Sequence, residues 1–231
     1  MHSEVAAVET TDQSDVPSNN SDLAYNALGV PDDGTTTDPY SASVISDNVV
    51  QTLASDYAYM QQNGYTTDQQ MQVAQQLGHD VKATVSYKTY TAGDIPTSAD
   101  TSYAAMMRYR TDLQTSLKAM MQNKETELDY LGKYEQTQDP QYLTALRQAA
   151  DNYKLAAAAT AAITVPSDAA SVQVGILNAM GEFGATLQTM AQSAQDPLAE
   201  AALVNTYFGA QQDMFSSFNN LYAYFKSKQP S

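Results

Sequence analysis

Three proline turns divide the second half of this chain into helix-length segments. Asp139-Pro140 and Asp196-Pro197 each place an aspartate, a preferred helix-capping residue, before a proline, which is favoured at the first helical position. Val165-Pro166 ends the segment between them, because proline disfavours a helical conformation in the residue before it. Connections of about three or four residues are too short to cross a bundle, so successive helices must run antiparallel.

Apolar residues recur at helical spacing after Asp100 and predict four long helices. The first is expected to run from Thr101 to Gln136, about 36 residues, and Ser167 or Asp168 is expected to cap the third. The predicted buried stripes of the last three helices are Leu143, Leu146, Ala150, Tyr153, Ala157, Thr160 and Ile163; Val172, Ile176, Ala179, Phe183, Leu187 and Met190; and Ala201, Val204, Phe208, Gln211, Phe215, Phe218, Tyr222 and Phe225.

Two further amphipathic helices are predicted before this region. The first begins after a serine cap at Ser41 or Ser43 and ends at Asn63-Gly64, and the second opens on a capping-box pattern formed by Thr67 and Gln70. The predicted fold is therefore all-α: an antiparallel up-down four-helix bundle with two additional N-terminal helices and a disordered acidic N-terminal tail. The predicted boundaries are a flexible tail over 1–40 and one helical domain over 41–231, divided into two helices (41–84), an extended connection (85–99) and the bundle (100–227).

Negative charge is concentrated at the N-terminal end. The first basic residue is Lys82, and 12 of the 26 acidic residues precede it, whereas 14 acidic residues face 11 basic ones in the remainder. An anionic surface without a basic stripe repels phosphate groups, so we expect no nucleic-acid partner. No stretch reaches the roughly 18 apolar residues that span a bilayer.

The residue types that usually carry catalysis or bind metals are sparse. Cysteine is absent and the histidines are His2 and His79, neither of which follows an acidic residue by three positions, as a di-iron helical bundle requires. The acidic residues near Asp129 are expected to form ordinary helical ion pairs, Asp129 with Lys133 among them. We therefore predict no catalytic residues, metal ligands or cofactors, and an enzyme is the weakest hypothesis.

Two sets of residues remain as candidate sites. Gly175, Gly181 and Gly184 lie inside a predicted helix, where each costs about 1 kcal/mol relative to alanine. Either close packing against an aromatic side chain of the last helix or a ligand slot would justify them, and Gln211 would either fix helix register or contact the same ligand. The second set is a candidate protein interface, because partly exposed tyrosines are favoured there. It comprises Tyr57, Tyr59, Tyr65, Tyr87 and Tyr90.

Four segments resemble a family of uncharacterised, membrane-anchored, exported helical proteins encoded by small-genome candidate-phyla bacteria. They are residues 43–64 (SVISDNVVQTLASDYAYMQQNG), 90–95 (YTAGDI), 165–178 (VPSDAASVQVGILN) and 196–225, which ends in LYAYF. The resemblance implies that a membrane-spanning segment precedes residue 1 in the native protein and that residues 3–40 tether the bundle outside the membrane. It brings no activity, cofactor or catalytic residue.

These observations lead to two hypotheses of function. The first is a non-enzymatic, extracytoplasmic interaction or scaffold module of a cell-envelope assembly, whose partners would be envelope proteins. The alternative is a ligand-sensing or ligand-carrying bundle with a cavity between its helices. The oligomeric state is left open by the sequence.

Overall fold

The computed structural model describes residue 38 and residues 40–229, apart from the side chain of His79. The predicted acidic tail therefore lies almost entirely outside the described residues, as does any role of the two histidines. Within the described residues, seven α-helices account for most of the chain: α1 (Ala42–Gln62), α2 (Thr67–Asp80), α3 (Tyr103–Ser116), α4 (Glu127–Thr137), α5 (Pro140–Ala161), α6 (Ala170–Ser193) and α7 (Pro197–Ser227). The expected all-α class is confirmed.

Helices α5, α6 and α7 form two successive antiparallel hairpins. The start of α5 meets the end of α6, where Arg147 donates to the carbonyl of Ala191, and the start of α6 meets the end of α7, where Ser217 donates to the carbonyl of Gly175. Alanine at several α5 contact positions lets the helices approach closely. The core contains fully buried side chains from all three helices, among them Leu146, Ile176, Leu177, Met180, Leu187 and Leu203.

Both aspartate–proline caps form as the sequence predicts. Asp139 accepts from the backbone N–H of Gln141, and Asp196 accepts from those of Leu198 and Ala199. Gly64 ends α1 in the left-handed conformation, at φ 66°. These local predictions hold because each depends on residues within one turn of the chain.

Other predicted caps are displaced. The capping box of α2 uses Thr66 and Gln69, one residue earlier than expected. Neither Ser167 nor Asp168 caps α6; instead these residues lie in the 3₁₀ turn Ser167–Ala169. Asp168 accepts from the Tyr224 hydroxyl and pairs with Lys228, so a distant helix takes the carboxylate that the local pattern assigned to a cap.

The predicted helix from Thr101 to Gln136 is wrong, because the chain breaks it between α3 and α4. The 3₁₀ turn Met120–Gln122 and an extended Asn123 separate the two helices. The break lets the Asn123 side chain reach Asn152 on α5 at 2.7 Å and turns Glu127 into the interior. The predicted pairing of Asp129 with Lys133 is also replaced, since Lys133 lies 2.6 Å from Glu125.

Two short parallel strands connect the region before α3 with the turn after α5. In β1 (Thr97–Ser98) and β2 (Val165–Pro166), Thr97 is paired with Val165 and Ser98 with Pro166. Val165 also donates to the carbonyl of Pro96. Val165 and Pro166, which were predicted to end α5, are thus strand residues, and the helix itself already ends at Ala161.

Most residues of the predicted stripes of α5 and α6 are buried, although Tyr153 and Val172 are only partly so and Ile163 lies beyond the end of α5, but the predicted stripe of α7 is wrong. Phe208 is 52%, Phe215 59% and Tyr222 67% exposed. The buried residues of α7 form a different stripe: Ala199, Ala202, Leu203, Thr206, Tyr207, Ala210, Met214 and Leu221. Three aromatic residues of this helix therefore face solvent, while Tyr207 and smaller residues are buried in the core and Phe218, Tyr224 and Phe225 are partly buried against it.

Candidate functional site

An extended segment lies across the outer surface of α6 and α7. In this segment, which we call the strap (residues 81–91), exposure alternates: Val81, Ala83, Val85 and Tyr87 are partly buried, and the residues between them are exposed. Such alternation is typical of a strand with one covered face. Here the covering surface is a pair of helices.

Helix side chains supply the strap with the hydrogen bonds that a neighbouring strand would provide. On α7, the Thr206 hydroxyl accepts from the Ala83 N–H at 2.8 Å, and the Asn205 amide donates to the carbonyl of Val81 at 2.9 Å. On α6, Asn178 accepts from the Tyr90 N–H at 2.6 Å and donates to the Tyr90 carbonyl at 3.1 Å. The strap is therefore fixed at both ends by three polar side chains.

The strap explains one of the three candidate glycines. A Cβ on Gly181 would lie 3.3 Å from the Tyr87 ring and 3.4 Å from the Lys88 carbonyl oxygen, closer than most Cβ contacts. A side chain at this position would push the strap away from α6. The passage of the strap therefore favours glycine at 181.

The other two glycines lie at helix–helix contacts. A Cβ on Gly184 would lie 3.2 Å from the Tyr153 Cβ and 3.3 Å from the Ala150 carbonyl oxygen, both on α5. Gly175 faces Ser217 of α7 with more room, at 3.7 Å. The aromatic side chains that pack on these glycines thus belong to the strap and α5, not to the last helix as the sequence suggested.

Two surface grooves adjoin these glycines. The strap groove, of about 520 Å³, lies between the strap and helices α5 and α6, and its lining includes Tyr87, Lys88, Tyr90, Lys154 and Gly181. The second groove, of about 500 Å³, includes Gly175, Ser217 and Tyr224. Gly184 is packed and lines neither groove.

The strap groove combines an apolar floor with cationic walls. Ala157, Ala158 and Ala185 contribute the small floor residues, and the Lys88 ammonium lies 4.4 Å from the centroid of the Tyr90 ring. Burial of the Tyr87 phenol raises its pKa, and the nearby charge of Glu182 raises it further. Lys88 and Lys154 suit an apolar group that carries a negative charge, whereas Glu182 and Asp213 place negative charge on the Tyr87 side of the groove.

A polar cluster around Glu127 lies inside the bundle. Glu127 is 8% exposed, and its carboxylate accepts from the Tyr153 hydroxyl at 3.0 Å and the Tyr207 hydroxyl at 3.4 Å. Burial raises the pKa of both phenols, and the nearby Glu127 charge raises it further. Both phenols therefore remain protonated donors to Glu127.

The glutamine predicted to lie in the α7 stripe belongs to the edge of this cluster. Gln211 is partly exposed and donates to the Tyr207 hydroxyl at 3.3 Å. The fully buried glutamine is Gln173, which accepts from Tyr109 and donates to the carbonyl of Thr160. Gln173 thus joins α3, α5 and α6. Sequence reasoning missed both Glu127 and Gln173, since neither differs in pattern from an exposed polar residue.

The five candidate interface tyrosines divide into two groups. Tyr57 and Tyr59 are exposed on α1, and Tyr65 meets Tyr59 edge-to-face with ring centroids 6.2 Å apart. Tyr87 and Tyr90 are partly buried and line the strap groove. The structure therefore does not bring these residues together into one surface.

A larger aromatic surface lies on α7. Phe208, Phe215 and Tyr222, which we call the outer row, are spaced seven residues apart, or about 10.5 Å per step, and share one face. Near one end of this face, burial and the charge of Glu135 raise the pKa of Glu200. Near the other end lies the exposed Lys226. The face therefore has an acidic end, an aromatic middle and a basic end.

In the part of the chain that the structure describes, every helix is too short or too polar to cross a bilayer. No protein-family model, curated protein or solved structure matches the chain.

Proposed function

We propose that this protein is a non-enzymatic helical interaction module that binds a protein partner through α7. The observation that supports this proposal is the outer row. Three large aromatics on one helix face, each more than half exposed, form an apolar surface of a kind that marks interaction sites in soluble proteins. Aromatic side chains are also the residues that most often dominate binding energy at interfaces.

We further infer that the scaffold behind this surface is an up-down four-helix bundle in which α3 and α4 together form the first arm. Lys228 at the end of α7 donates to the carbonyl of Thr101, just before α3. Glu127 at the start of α4 meets Tyr207 in the first half of α7. Both contacts are those expected of an interrupted arm running antiparallel to α7. Such a scaffold would hold the outer row rigidly.

For location, we propose an extracytoplasmic module of a cell-envelope assembly, tethered through the polar N-terminal region. This part of the proposal depends on the resemblance described above. Its partners would then be envelope proteins, and no nucleic acid would bind.

The interaction surface is testable by site-specific photo-cross-linking. A photoreactive residue replaces Phe215 in the full chain, which is expressed in intact cells of the source organism, and the matched control replaces Leu155. Leu155 is also 59% exposed but lies on α5. We expect discrete protein adducts from position 215, including any with a second copy of the chain, and none from position 155. Equal labelling from both positions, or no adduct from 215, contradicts the proposal.

The strap groove favours a second function, that of a carrier or sensor of an apolar anion. Its volume of about 520 Å³ falls within the range of ligand pockets, and Lys88 and Lys154 flank its small floor residues. Anilinonaphthalene sulfonate, an apolar anionic dye, is a suitable probe. We expect Ala158→Trp to abolish the dye fluorescence that the wild-type chain produces, whereas Ala223→Trp, in the second groove, leaves it unchanged. Equal fluorescence from both variants contradicts this function.

A further inference from the structure

The outer row belongs to a longer repeat along α7 than the fold itself uses. Residues 201, 208, 215 and 222 alternate with residues 204, 211, 218 and 225, at steps of four and three. This heptad spacing is the pattern by which one helix packs along another. The first set is exposed and the second partly buried, whereas the core uses the other stripe of α7. Val204, Phe218 and Phe225 pack against the core, so the exposed set, which includes the outer row, is the part of this heptad seam that lacks a partner among the described residues.

We propose that the partner of this seam is a second copy of the same chain, whose α7 packs antiparallel to the first. The inference rests on the proposed function and names its partner. The two helices are related by a two-fold axis near residue 213, and each contact therefore occurs twice. Residues at equal distances on either side of 213 then meet, which pairs Phe208 with Phe218, Val204 with Tyr222, and Phe215 with Gln211 of the second copy.

Charge selects the antiparallel arrangement over the parallel one. A parallel pair would place both Glu200 residues at the same end of the seam, each already beside Glu135, which raises the Glu200 pKa. The antiparallel pair instead brings the Lys226 end of each copy to the Glu135 and Glu200 end of the other. Opposite charges at both ends of a seam favour one orientation and register.

The strong negative charge of the whole chain does not oppose this contact locally. Between Glu200 and Lys226, α7 carries one charged residue, Asp213. At about 100° per residue, Asp213 lies roughly 160° around the helix from Phe215. It faces the strap, where its charge raises the pKa of Tyr87. The seam is therefore uncharged along its length.

The available area fits a weak, reversible dimer. A large aromatic residue buries about 150–250 Å², so three residues that are 52–67% exposed offer about 100 Å² each. The six rings of a pair then supply about 600 Å², over half of the roughly 1,000 Å² that a specific interface needs. Flanking residues such as Ala201, Gln212 and Asn219 supply the remainder.

The absence of cysteine makes the orientation directly measurable. Copies of Gln212→Cys would lie about 3 Å apart along the helix axis, whereas those of Val204→Cys or Tyr222→Cys would lie about 27 Å apart. Under mild oxidation we expect Gln212→Cys to form a disulfide-linked dimer and the other two single variants to remain unlinked. A mixture of Val204→Cys and Tyr222→Cys should then form the cross-linked heterodimer. Homodimers from all three single variants would instead indicate a parallel pair and overturn the proposal.

The affinity is measured on the full chain by sedimentation at about 1–200 µM. We expect Phe215→Ser to weaken dimerisation at least tenfold and Leu155→Ser, the equally exposed control, to leave it within twofold, with unchanged circular dichroism in both. Glu200→Lys should weaken the dimer, and adding Lys226→Glu should restore it. A wild-type monomer at every concentration overturns this inference. If photo-cross-linking from position 215 still captures another protein, the proposed interaction function survives without it.

Discussion

Helices α6 and α1 are of similar length, yet they are held in the fold in very different ways. Fourteen of the 24 residues of α6 are buried, whereas three of the 21 residues of α1 are. Residues on every side of α6 contact α5, α7 or the strap. In contrast, α1 has a long exposed middle, and Ser46 ties its start to Asp196. Helical content is therefore a poor guide to where the stability of this protein lies.

Like most of α1, the strap and α2 consist of exposed or partly buried residues. In α2, no side chain that the structure describes is buried. Beyond α2, Asn178, Asn205 and Thr206 anchor the strap by hydrogen bonds, and its apolar side chains are only partly buried. Regions with few buried apolar contacts open locally at a lower free energy than the core. We therefore expect the part of the chain before α3 to open before the α5–α7 core unfolds.

The largest difference is expected from truncating a leucine in each region. Leu177→Ala in α6 removes a fully buried side chain and should lower the free energy of unfolding by about 3 kcal/mol, because the dense core cannot close the cavity. Leu53→Ala in α1 removes a side chain that is 39% exposed and should cost less than about 1 kcal/mol. Urea denaturation followed by circular dichroism measures both. Equal losses would remove the contrast between the two helices.

Glycine substitutions should change stability in opposite directions. Gly184→Ala places a methyl group against Tyr153 and the backbone of Ala150, so it should cost about 2 kcal/mol by overpacking. Gly78→Ala in α2 meets no atom within 4 Å and should stabilise that helix by up to about 1 kcal/mol. Thermal unfolding of the two variants distinguishes them. A tolerated Gly184→Ala would mean that α5 and α6 can separate more easily than their contacts indicate.

Loss of one strap anchor should affect the N-terminal region selectively. Thr206→Val removes the hydroxyl that accepts from the Ala83 N–H and should cost about 1 kcal/mol. The control is Thr189→Val, because the Thr189 hydroxyl bonds only within its own helix, to the carbonyl of Ala185. In hydrogen exchange, Thr206→Val should speed exchange in the strap while α5 and α6 keep their protection. Uniformly faster exchange across the chain would argue against a separate opening unit.

The smallest predicted effect is a difference between the two aspartate caps. Asp139→Ala and Asp196→Ala should each cost about 1 kcal/mol as lost caps, but only the second should also release the start of α1. Exchange of the α1 amides in the two variants measures this difference.

The cap at Asp196 also predicts a pH dependence. Although burial acts in the opposite direction, hydrogen bonds from Ser46 and the backbone amides lower the pKa of Asp196 below 3.8. The stability that ionised Asp196 contributes is therefore present above pH 3.8 and is lost as the pH falls through the lowered pKa. The stability difference between wild type and Asp196→Ala should shrink below about pH 3.8. A constant difference down to pH 2 would show that the charge is unimportant.

Much of the helix pattern was predictable because it depends on neighbouring residues. The aspartate–proline caps, Gly64 and the buried stripes of α5 and α6 each follow from local chemistry or from a spacing within one helix. The stripe of α7 failed for an instructive reason. Its aromatic heptad is the more regular apolar pattern, but the core is filled by the smaller residues beside Tyr207, and the sequence alone gives no preference between two adjacent stripes.

The candidate sites were less predictable than the helices. Gly181 could be recognised as unusual, but the cause, a strap crossing α6, requires a contact with Tyr87 from a distant part of the chain. Glu127 and Gln173 could not be distinguished from surface residues. Their partners, Tyr153 and Tyr207 for the first and Tyr109 and Thr160 for the second, come from other helices.

The sequence by itself determined that this protein is helical, where its proline turns lie and which faces of α5 and α6 enter the core. Caps, turns and periodicity act within a few residues, so they are encoded locally. Tertiary structure decided where the first predicted helix breaks, how the strap is held and which aromatics of α7 face solvent. Each of these depends on competition between side chains that are far apart in the sequence. The outer row of Phe208, Phe215 and Tyr222 is the result with the clearest consequence for function.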